Sequence, residues 1–146
     1  MKPYRTRRQG FTLMEVLMVL VILVIIMGLA IGTYTNAQYK ASINAAKAQI
    51  GLFESPLDMY KLDVGYYPTT NQGLDALRNP PADVPNPAAW GPEPYMNKDI
   101  PLDPWGFPYN YISPGKYNPN TYDVWSTGPD GVDGTADDIG NWSSLR

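Results

Sequence analysis

The stretch that decides the fold is RRQGFTLMEVLMVLVILVIIMGLAIG, residues 7–32. Glu15 is the only charged residue among the 21 residues from Phe11 to Ile31. As an α-helix those residues extend roughly 30 Å, about the thickness of a bilayer core. The basic residues that precede Gly10 predict a cytoplasmic N-terminus. The stretch therefore predicts a membrane-spanning helix, with the rest of the chain outside the cytoplasm.

The apolar run has three possible interpretations, which differ in how they account for Glu15. A secretory signal peptide has a shorter apolar region that ends at a small-residue cleavage site, and no such site closes this run. A plain single-pass anchor explains the length and the flanking charges, and Glu15 then reaches the nearby interface. In the third interpretation the chain is cut between Gly10 and Phe11, and the new amino group on one subunit pairs with Glu15 of a neighbour. The carboxylate then fixes the register of stacked helices.

Composition limits the classes of function. The chain has 146 residues, of which 11 are basic and 14 acidic, and removal of residues 1–10 leaves 7 basic against 14 acidic. This acidic body disfavours a nucleic-acid-binding surface. The chain has no cysteine and no histidine. It therefore has no disulfide framework, and it lacks the commonest general base and the commonest zinc ligand. We predict that the protein is not an enzyme.

The helical period continues beyond the apolar run. Seven residues recur at alternating spacings of four and three and form one stripe on a helix: Tyr39, Ile43, Ala46, Ile50, Phe53, Leu57 and Tyr60. We predict one helix over residues 12–62 that packs this stripe against the protein's own globular part, with a coiled-coil partner as the alternative. Gly32 is expected to weaken the helix. Pro56 is expected to kink it, because proline has no N–H for the carbonyl of Leu52.

Turn-forming residues dominate the chain after this helix. Gly65 is expected to cap the helix, and residues 71–77 are expected to form a short helix. Residues 79–94 are rich in proline and predict a rigid surface loop. Within this loop, Trp90 is expected to contact the core.

Two short strands are predicted near the C-terminus. Residues 109–112 and residues 121–127 have strand patterns and are separated by a turn, so we expect an antiparallel hairpin. A small sheet laid against the stripe of the long helix buries both. The predicted fold class is therefore α+β, with a long N-terminal helix, its first half transmembrane, packed on a small antiparallel sheet.

An acidic loop close to the C-terminus is the candidate metal site. It contains four carboxylates within nine residues: Asp130, Asp133, Asp137 and Asp138. Repulsion between them favours a bound cation, and several carboxylate oxygens suit Ca²⁺. The EF-hand pattern does not match, because with Asp130 first the third and fifth positions are Val132 and Gly134. An exposed acidic turn is the alternative, since Asp and Gly are common in turns.

The segment RRQGFTLMEVLMVLVIL, residues 7–23, resembles the leader of type IV pilins and of type II secretion pseudopilins. The resemblance implies that a prepilin peptidase cuts between Gly10 and Phe11 and methylates Phe11, and that Glu15 is the assembly residue. Pilins and pseudopilins commonly carry a proline near the position of Gly32, so this chain departs from the family there.

The same resemblance divides the chain into four parts. These are a basic leader (1–10), the transmembrane half of the helix (11–32), its periplasmic half (33–63), and a globular α/β part with the proline-rich loop and the acidic loop (64–146).

Three further segments are similar to those of the major pseudopilins of type II secretion: DMYKLDVGYYPTTNQGLDAL (58–77), LDPWGFPYNYISPG (102–115) and GPDGVDGTADDIGNW (128–142). The resemblance implies a subunit that polymerises with copies of itself into a periplasmic pseudopilus and supports export of folded proteins across the outer membrane. It implies a single-pass protein of the bacterial inner membrane with its globular part in the periplasm. Minor pseudopilins, the inner-membrane secretion platform and the prepilin peptidase are the implied partners.

The resemblance also implies one structural calcium ion in the acidic loop. Carried over by position, the ligands are the side chains of Asp130 and Asp137, the backbone carbonyls of Thr127 and Val132, and Asp138 as a further carboxylate. The loop is about one residue shorter than common versions in the family. The choice among Asp133, Asp137 and Asp138 therefore stays open.

Two other classes of protein are alternatives. A type IV pilin for adhesion or motility usually ends in a disulfide-closed loop, and this chain has no cysteine. A membrane-anchored periplasmic binding module would stack sugars on its aromatic residues, namely Trp90, Trp105, Tyr109, Tyr111 and Trp125. Aromatic residues beside proline and glycine more often form the core of a small domain.

Overall fold

The computed structural model describes residues 10–142, except for the side chains of residues 29–35 and of Pro87. Residues 1–9, most of the predicted leader, lie outside this part. The chain divides into two compact units at the boundary between residues 39 and 40. Within the described residues the α-helices are α1 (Leu13–Leu52) and α2 (Glu54–Val64), the 3-10 turns span Leu74–Leu77 and Pro87–Ala89, and the strands are β1 (Asn110–Ile112), β2 (Asp123–Ser126) and β3 (Ile139–Gly140).

Helix α1 begins directly after Thr12. The carbonyl of Thr12 accepts hydrogen bonds from the N–H groups of Glu15 (3.1 Å) and Val16 (3.3 Å), and its hydroxyl oxygen accepts from the N–H of Glu15 at 3.3 Å. Thr12 therefore acts as an N-cap. The described side chains of residues 11–28 are all exposed, so this segment presents apolar groups on every face.

No helix within the described residues combines the length and the apolar character needed to cross a bilayer. The membrane span stays a prediction.

The predicted long helix is interrupted at Phe53. The N–H of Phe53 donates to the carbonyl of Ile50 at 3.2 Å, and helix α2 then begins at Glu54. Pro56 is the third residue of α2, where the backbone N–H groups have no acceptor within the same helix, so proline is tolerated there. A kink was predicted near residues 52–56; the structure has a break at Phe53, which divides the predicted single helix into α1 and α2. Gly32 lies inside α1, which continues through it.

The C-terminal end of α2 is capped as predicted. Gly65 adopts a left-handed conformation with φ of 96°, and its N–H donates to the carbonyl of Lys61 at 2.8 Å. Glycine adopts this conformation without a steric penalty.

The predicted stripe lies in the hydrophobic core, with the exception of its first member. Five of its residues are buried: Ala46, Ile50, Phe53, Leu57 and Tyr60. Ile43 is partly buried against them, whereas Tyr39 is 45% exposed, so its assignment to the packed stripe is wrong. From the sheet side the core receives Tyr109, Tyr111, Tyr122, Val124 and Ile139. The rings of Phe53 and Tyr109 meet edge to face with centroids 5.4 Å apart.

The sheet is antiparallel and has the order β1–β2–β3. The predicted hairpin is confirmed, with Tyr111 opposite Val124 in the β1–β2 pair. Strand β3, which pairs Ile139 with Ser126 of β2, has only two residues and was not predicted. The predicted α+β class is thereby confirmed.

The loops before the sheet differ from the prediction in detail. The short helix predicted at residues 71–77 is a single 3-10 turn, Leu74–Leu77. The proline-rich loop contains one 3-10 turn, Pro87–Ala89, and is otherwise irregular. The contact of Trp90 with the core is confirmed, because its indole N–H donates to the carbonyl of Ala76 at 2.9 Å.

Candidate functional site

The acidic loop, residues 127–138, connects β2 to β3. These strands pair with each other, so both ends of the loop are held by neighbouring strands of the sheet. Three glycines with positive φ shape its turns: Gly128 at 68°, Gly131 at 68° and Gly134 at 86°. The turns bring the two ends of the loop close together.

Asp137 is one of the predicted ligands, and its carboxylate is held in place by the loop. Its Oδ1 accepts a hydrogen bond from the hydroxyl of Thr135 at 2.6 Å. This hydrogen bond is the main cause that lowers the pKa of Asp137, and interactions with the backbone and side chain of Asp130 lower it further. The loop therefore stabilises a negative charge on Asp137.

Asp138 has the opposite electrostatic environment. Its Oδ2 accepts from the N–H of Gly134 at 2.8 Å, but its Oδ1 is buried and has no hydrogen-bond partner among residues 10–142. Burial is the main cause that raises the pKa of Asp138, and the negative charges of Asp133, Asp137 and Asp130 raise it further. The hydrogen bond from the N–H of Gly134 lowers it. A cation at this oxygen would offset both the missing hydrogen bond and the repulsion between the carboxylates.

The two other carboxylates of the loop have protein donors. Asp130 Oδ1 accepts from the N–H of Val132 at 2.8 Å, which closes a tight turn. Asp133 Oδ1 accepts from the indole N–H of Trp125 in β2, also at 2.8 Å. Each of these oxygens is already hydrogen-bonded within the chain.

A calcium ion in the acidic loop would need backbone oxygens as ligands in addition to carboxylates. Within residues 10–142 no three histidine, cysteine or acidic side chains converge on one metal position. Ca²⁺ takes several oxygen ligands and accepts backbone carbonyls among them, so the predicted carbonyls of Thr127 and Val132 are compatible with it. The unpartnered Oδ1 of Asp138 favours including that residue. The full ligand set stays a prediction.

Asp103 supports the start of the acidic loop through Ser126. The sequence did not predict this role. It is 5% exposed and accepts hydrogen bonds from the N–H groups of Trp105 (3.0 Å) and Phe107 (2.8 Å) and from the hydroxyl of Ser126 at 2.5 Å. The hydroxyl oxygen of Ser126 in turn accepts from the N–H of Gly128 at 3.1 Å. The sequence contained one indication of this role: Asp103 directly precedes a Pro-x-Gly turn. Aspartate at such a position commonly accepts hydrogen bonds from the N–H groups of the turn.

Asp123 is a second buried carboxylate that the sequence analysis missed. It is 1% exposed and accepts from the N–H groups of Tyr117 (2.8 Å) and Asn118 (3.0 Å). Gly115 lies against it, since a Cβ on Gly115 would come within 2.6 Å of Asp123 Oδ1. Asp123 thus organises the turn between β1 and β2, and no local pattern separates it from a solvent-facing strand residue.

The predicted processing and assembly residues lie at the start of α1. Gly10 and Phe11 precede the helix in non-helical backbone, and Phe11 is 81% exposed. Glu15 is exposed in the first helical turn. Arg78 and Asp99 form the one ion pair found among residues 10–142, so Glu15 has no oppositely charged partner within that part. Cleavage, methylation and the assembly role stay predictions.

The chain is similar to known proteins over nearly its whole length. The family model described as type II secretion system (T2SS), protein G, matches residues 33–142, and that of the prokaryotic N-terminal methylation motif matches residues 5–31. The type II secretion system core protein G of Aeromonas hydrophila is 46% identical over 139 residues, which cover 95% of each chain. That of Pseudomonas aeruginosa is 42% identical over 143 residues, covering 96% of this chain and 99% of the other.

A solved structure is also similar. The crystal structure of the major pseudopilin from the type 2 secretion system of enterohaemorrhagic Escherichia coli matches with a TM-score of 0.67 and 42% identity. The match covers 75% of this chain and 93% of that one.

Proposed function

The chain belongs to the type II secretion system protein G family, and we propose that it polymerises into the periplasmic pseudopilus of such a system and supports export of folded proteins across the outer membrane. The observation that carries this proposal is the joint match of the protein G family and the N-terminal methylation motif across residues 5–142. The role is structural and not enzymatic. A type IV pilin and a sugar-binding module are not favoured by these similarities.

The N-terminal segment supports processing and assembly in this proposal. Prepilin peptidase cuts between Gly10 and Phe11, which lie in exposed, non-helical backbone, and Phe11 is N-methylated. The exposed apolar side chains of residues 11–28 are suited to lipid and to neighbouring helices. The protein is then a single-pass inner-membrane protein with its globular part in the periplasm, and it meets minor pseudopilins and the inner-membrane platform.

Glu15 has a defined role in this assembly. It lies in the first turn of α1, where the N-terminal end of the helix dipole favours a negative charge. A carboxylate among apolar groups is stabilised by an opposite charge. The amino group of Phe11 from a neighbouring subunit supplies that charge and sets the stagger between the helices.

A structural calcium ion in the acidic loop is part of the proposal. Its proposed ligands are Asp130, Asp137 and Asp138 with the carbonyls of Thr127 and Val132. The buried, unpartnered Oδ1 of Asp138 and the like charges around it support a cation here. When bound, the ion neutralises these charges and holds the connection between β2 and β3.

Mass spectrometry of the chain extracted from membranes tests the processing. We expect a chain that starts at N-methylated Phe11, and, in cells without the prepilin peptidase, a chain that retains residues 1–10. An intact Met1 in the presence of the peptidase, or a cut at another bond, would contradict the proposal.

Deletion of the gene distinguishes a pseudopilin from a pilin. We expect loss of export of folded proteins to the medium, with surface motility and adhesion unchanged. The opposite pattern would favour the pilin alternative.

A further inference from the structure

We propose that Trp125 keeps Asp133 out of the calcium coordination sphere, so that Asp133 anchors the acidic loop to strand β2 while other oxygens of the loop bind the ion. The inference rests on the proposed calcium site and deepens it. Its basis is the hydrogen bond from the indole N–H of Trp125 to Asp133 Oδ1, 2.8 Å long and spanning eight residues.

Trp125 is well placed to hold another residue. It lies in the central strand of the sheet, opposite Asn110 of β1 and Gly140 of β3. Its ring packs near that of Trp142, with centroids 5.8 Å apart, and Trp142 stacks on Tyr117 at 4.2 Å. Because the backbone is paired on both sides and the ring is packed, the direction of the indole N–H is largely set by the sheet and by Trp142.

Asp133 and Asp138 differ in whether their carboxylate oxygens already have hydrogen-bond donors. Asp133 is exposed, with one oxygen bound to the indole, whereas Asp138 has a buried oxygen without a partner. If Asp133 moved to a cation, the indole N–H would lose its acceptor. Asp138 can bind a cation through Oδ1 without losing any bond. The structure therefore favours Asp138 over Asp133 as the additional carboxylate ligand.

A second contact anchors the same part of the loop. A Cβ on Gly131 would come within 2.5 Å of the ring of Phe107, so that ring lies directly against the turn after Asp130. Together the contacts at Asp133 and Gly131 hold the loop at two points. A loop held in this way loses less conformational freedom when an ion binds.

The experiment is a calorimetric calcium titration of the full-length chain in detergent, with four single variants and one double variant. We expect Asp133→Asn to bind calcium like the unaltered chain, because its amide oxygen still accepts from the indole. Trp125→Phe and Asp133→Ala should each weaken binding about tenfold, as expected for residues that orient ligands. Their double variant should be no weaker than either single variant. Asp137→Asn is the reference for the loss of a ligand.

A second readout does not depend on substitutions at Trp125. In the NMR spectrum of the ¹⁵N-labelled chain, the indole N–H resonance of Trp125 should keep its position when calcium is added. The resonance in Asp133→Ala gives the position without the bond.

The outcomes separate this inference from the calcium site itself. If Asp133→Asn weakens binding as much as Asp137→Asn, or if calcium moves the Trp125 resonance to its position in Asp133→Ala, Asp133 is a ligand and the inference is wrong. If the unaltered chain binds no calcium, both the proposed calcium site and this inference are wrong.

Discussion

Gly128 lies directly against Asp137, at the point where the two ends of the acidic loop meet. A Cβ on Gly128 would come within 2.6 Å of the backbone carbonyl oxygen of Asp137 and within 2.8 Å of its carboxylate. Gly128 also has a φ of 68°, a backbone conformation that is sterically unfavourable for residues with a Cβ. The closure of the loop, and with it the position of Asp137, therefore depends on the absence of a side chain at residue 128.

Substitution of this glycine tests the closure. Gly128→Ala should destabilise the fold by about 2–4 kcal/mol, because steric overlap adds to the backbone strain. Gly134→Ala is the matched control: its φ is 86°, but nothing lies within 4 Å of its Cβ, so about 1 kcal/mol is expected. Denaturant unfolding with circular dichroism measures both. Equal costs for the two variants would contradict a close approach at Gly128.

Removal of calcium should lower thermal stability. We expect a chelator to reduce the Tm of the unaltered chain, because the charges around the buried Oδ1 of Asp138 then lack a counter-ion. Asp138→Asn should have a smaller response to the chelator, since one of the repelling charges and one proposed ligand are lost. A Tm that is the same with and without chelator would exclude the site.

Two core tyrosines should respond in opposite ways to loss of the hydroxyl. Tyr109 has a buried hydroxyl that finds no partner in the described part of the chain, so Tyr109→Phe should leave the free energy of unfolding unchanged or raise it by about 1 kcal/mol. The hydroxyl of Tyr111 donates to the carbonyl of Pro68 at 2.8 Å, so Tyr111→Phe should cost about 1–2 kcal/mol. Guanidinium unfolding of the two variants measures the difference, and a larger loss for Tyr109→Phe would contradict the assignment.

The fold should be lost at alkaline pH as buried tyrosines ionise. Burial is the main cause that raises the pKa of Tyr60, Tyr67 and Tyr109 from 10.0 to about 12. A raised pKa in the folded state means that each contributes stability below pH 10.0 that is lost as the pH rises towards about 12.

Spectroscopic titration measures this pH dependence. The tyrosinate absorbance should rise together with the loss of helical circular dichroism above pH 10.0. Tyr60→Phe should make the dependence less steep. Full ionisation of the tyrosines near pH 10.0 with the fold intact would contradict the prediction.

Loss of the carboxylate at Glu15 should stop assembly without preventing processing. Glu15→Ala should be inserted and cut after Gly10, because neither step uses the carboxylate in our proposal, but it should form no filaments. Leu17→Ala is the control, since Leu17 is a nearby exposed residue of the same helix. Electron microscopy of sheared cells, with mass spectrometry of the membrane fraction, measures both steps. Normal filaments of Glu15→Ala would contradict the pairing with Phe11.

The helical part of the fold was largely predictable from the sequence. The stripe, the interruption near Pro56 and the cap at Gly65 all depend on residues within one or two helical turns of each other, where period and turn chemistry act. Tyr39 was wrongly placed in the packed stripe, because periodicity alone does not say where the packing partner ends.

The sheet and the supports of the loop were predictable only in part. The hairpin of β1 and β2 followed from two strand patterns, but β3 has two residues and no pattern of its own. Asp103 and Asp123 are buried because they accept hydrogen bonds from backbone N–H groups that the fold brings to them. Sequence patterns treat such carboxylates as solvent-facing.

By itself, the sequence determined the family, the helical character of residues 13–64 and the position of the acidic loop, because each depends on a local and continuous pattern. Only the tertiary structure decided the states of the four loop carboxylates: Asp133 bound to Trp125, Asp130 closing a turn, Asp137 bound by Thr135, and Asp138 left with a free buried oxygen. The physical reason is that the availability of a carboxylate oxygen depends on donors and burial supplied by the folded chain. Four aspartates that are chemically identical in the sequence thereby become different in the fold.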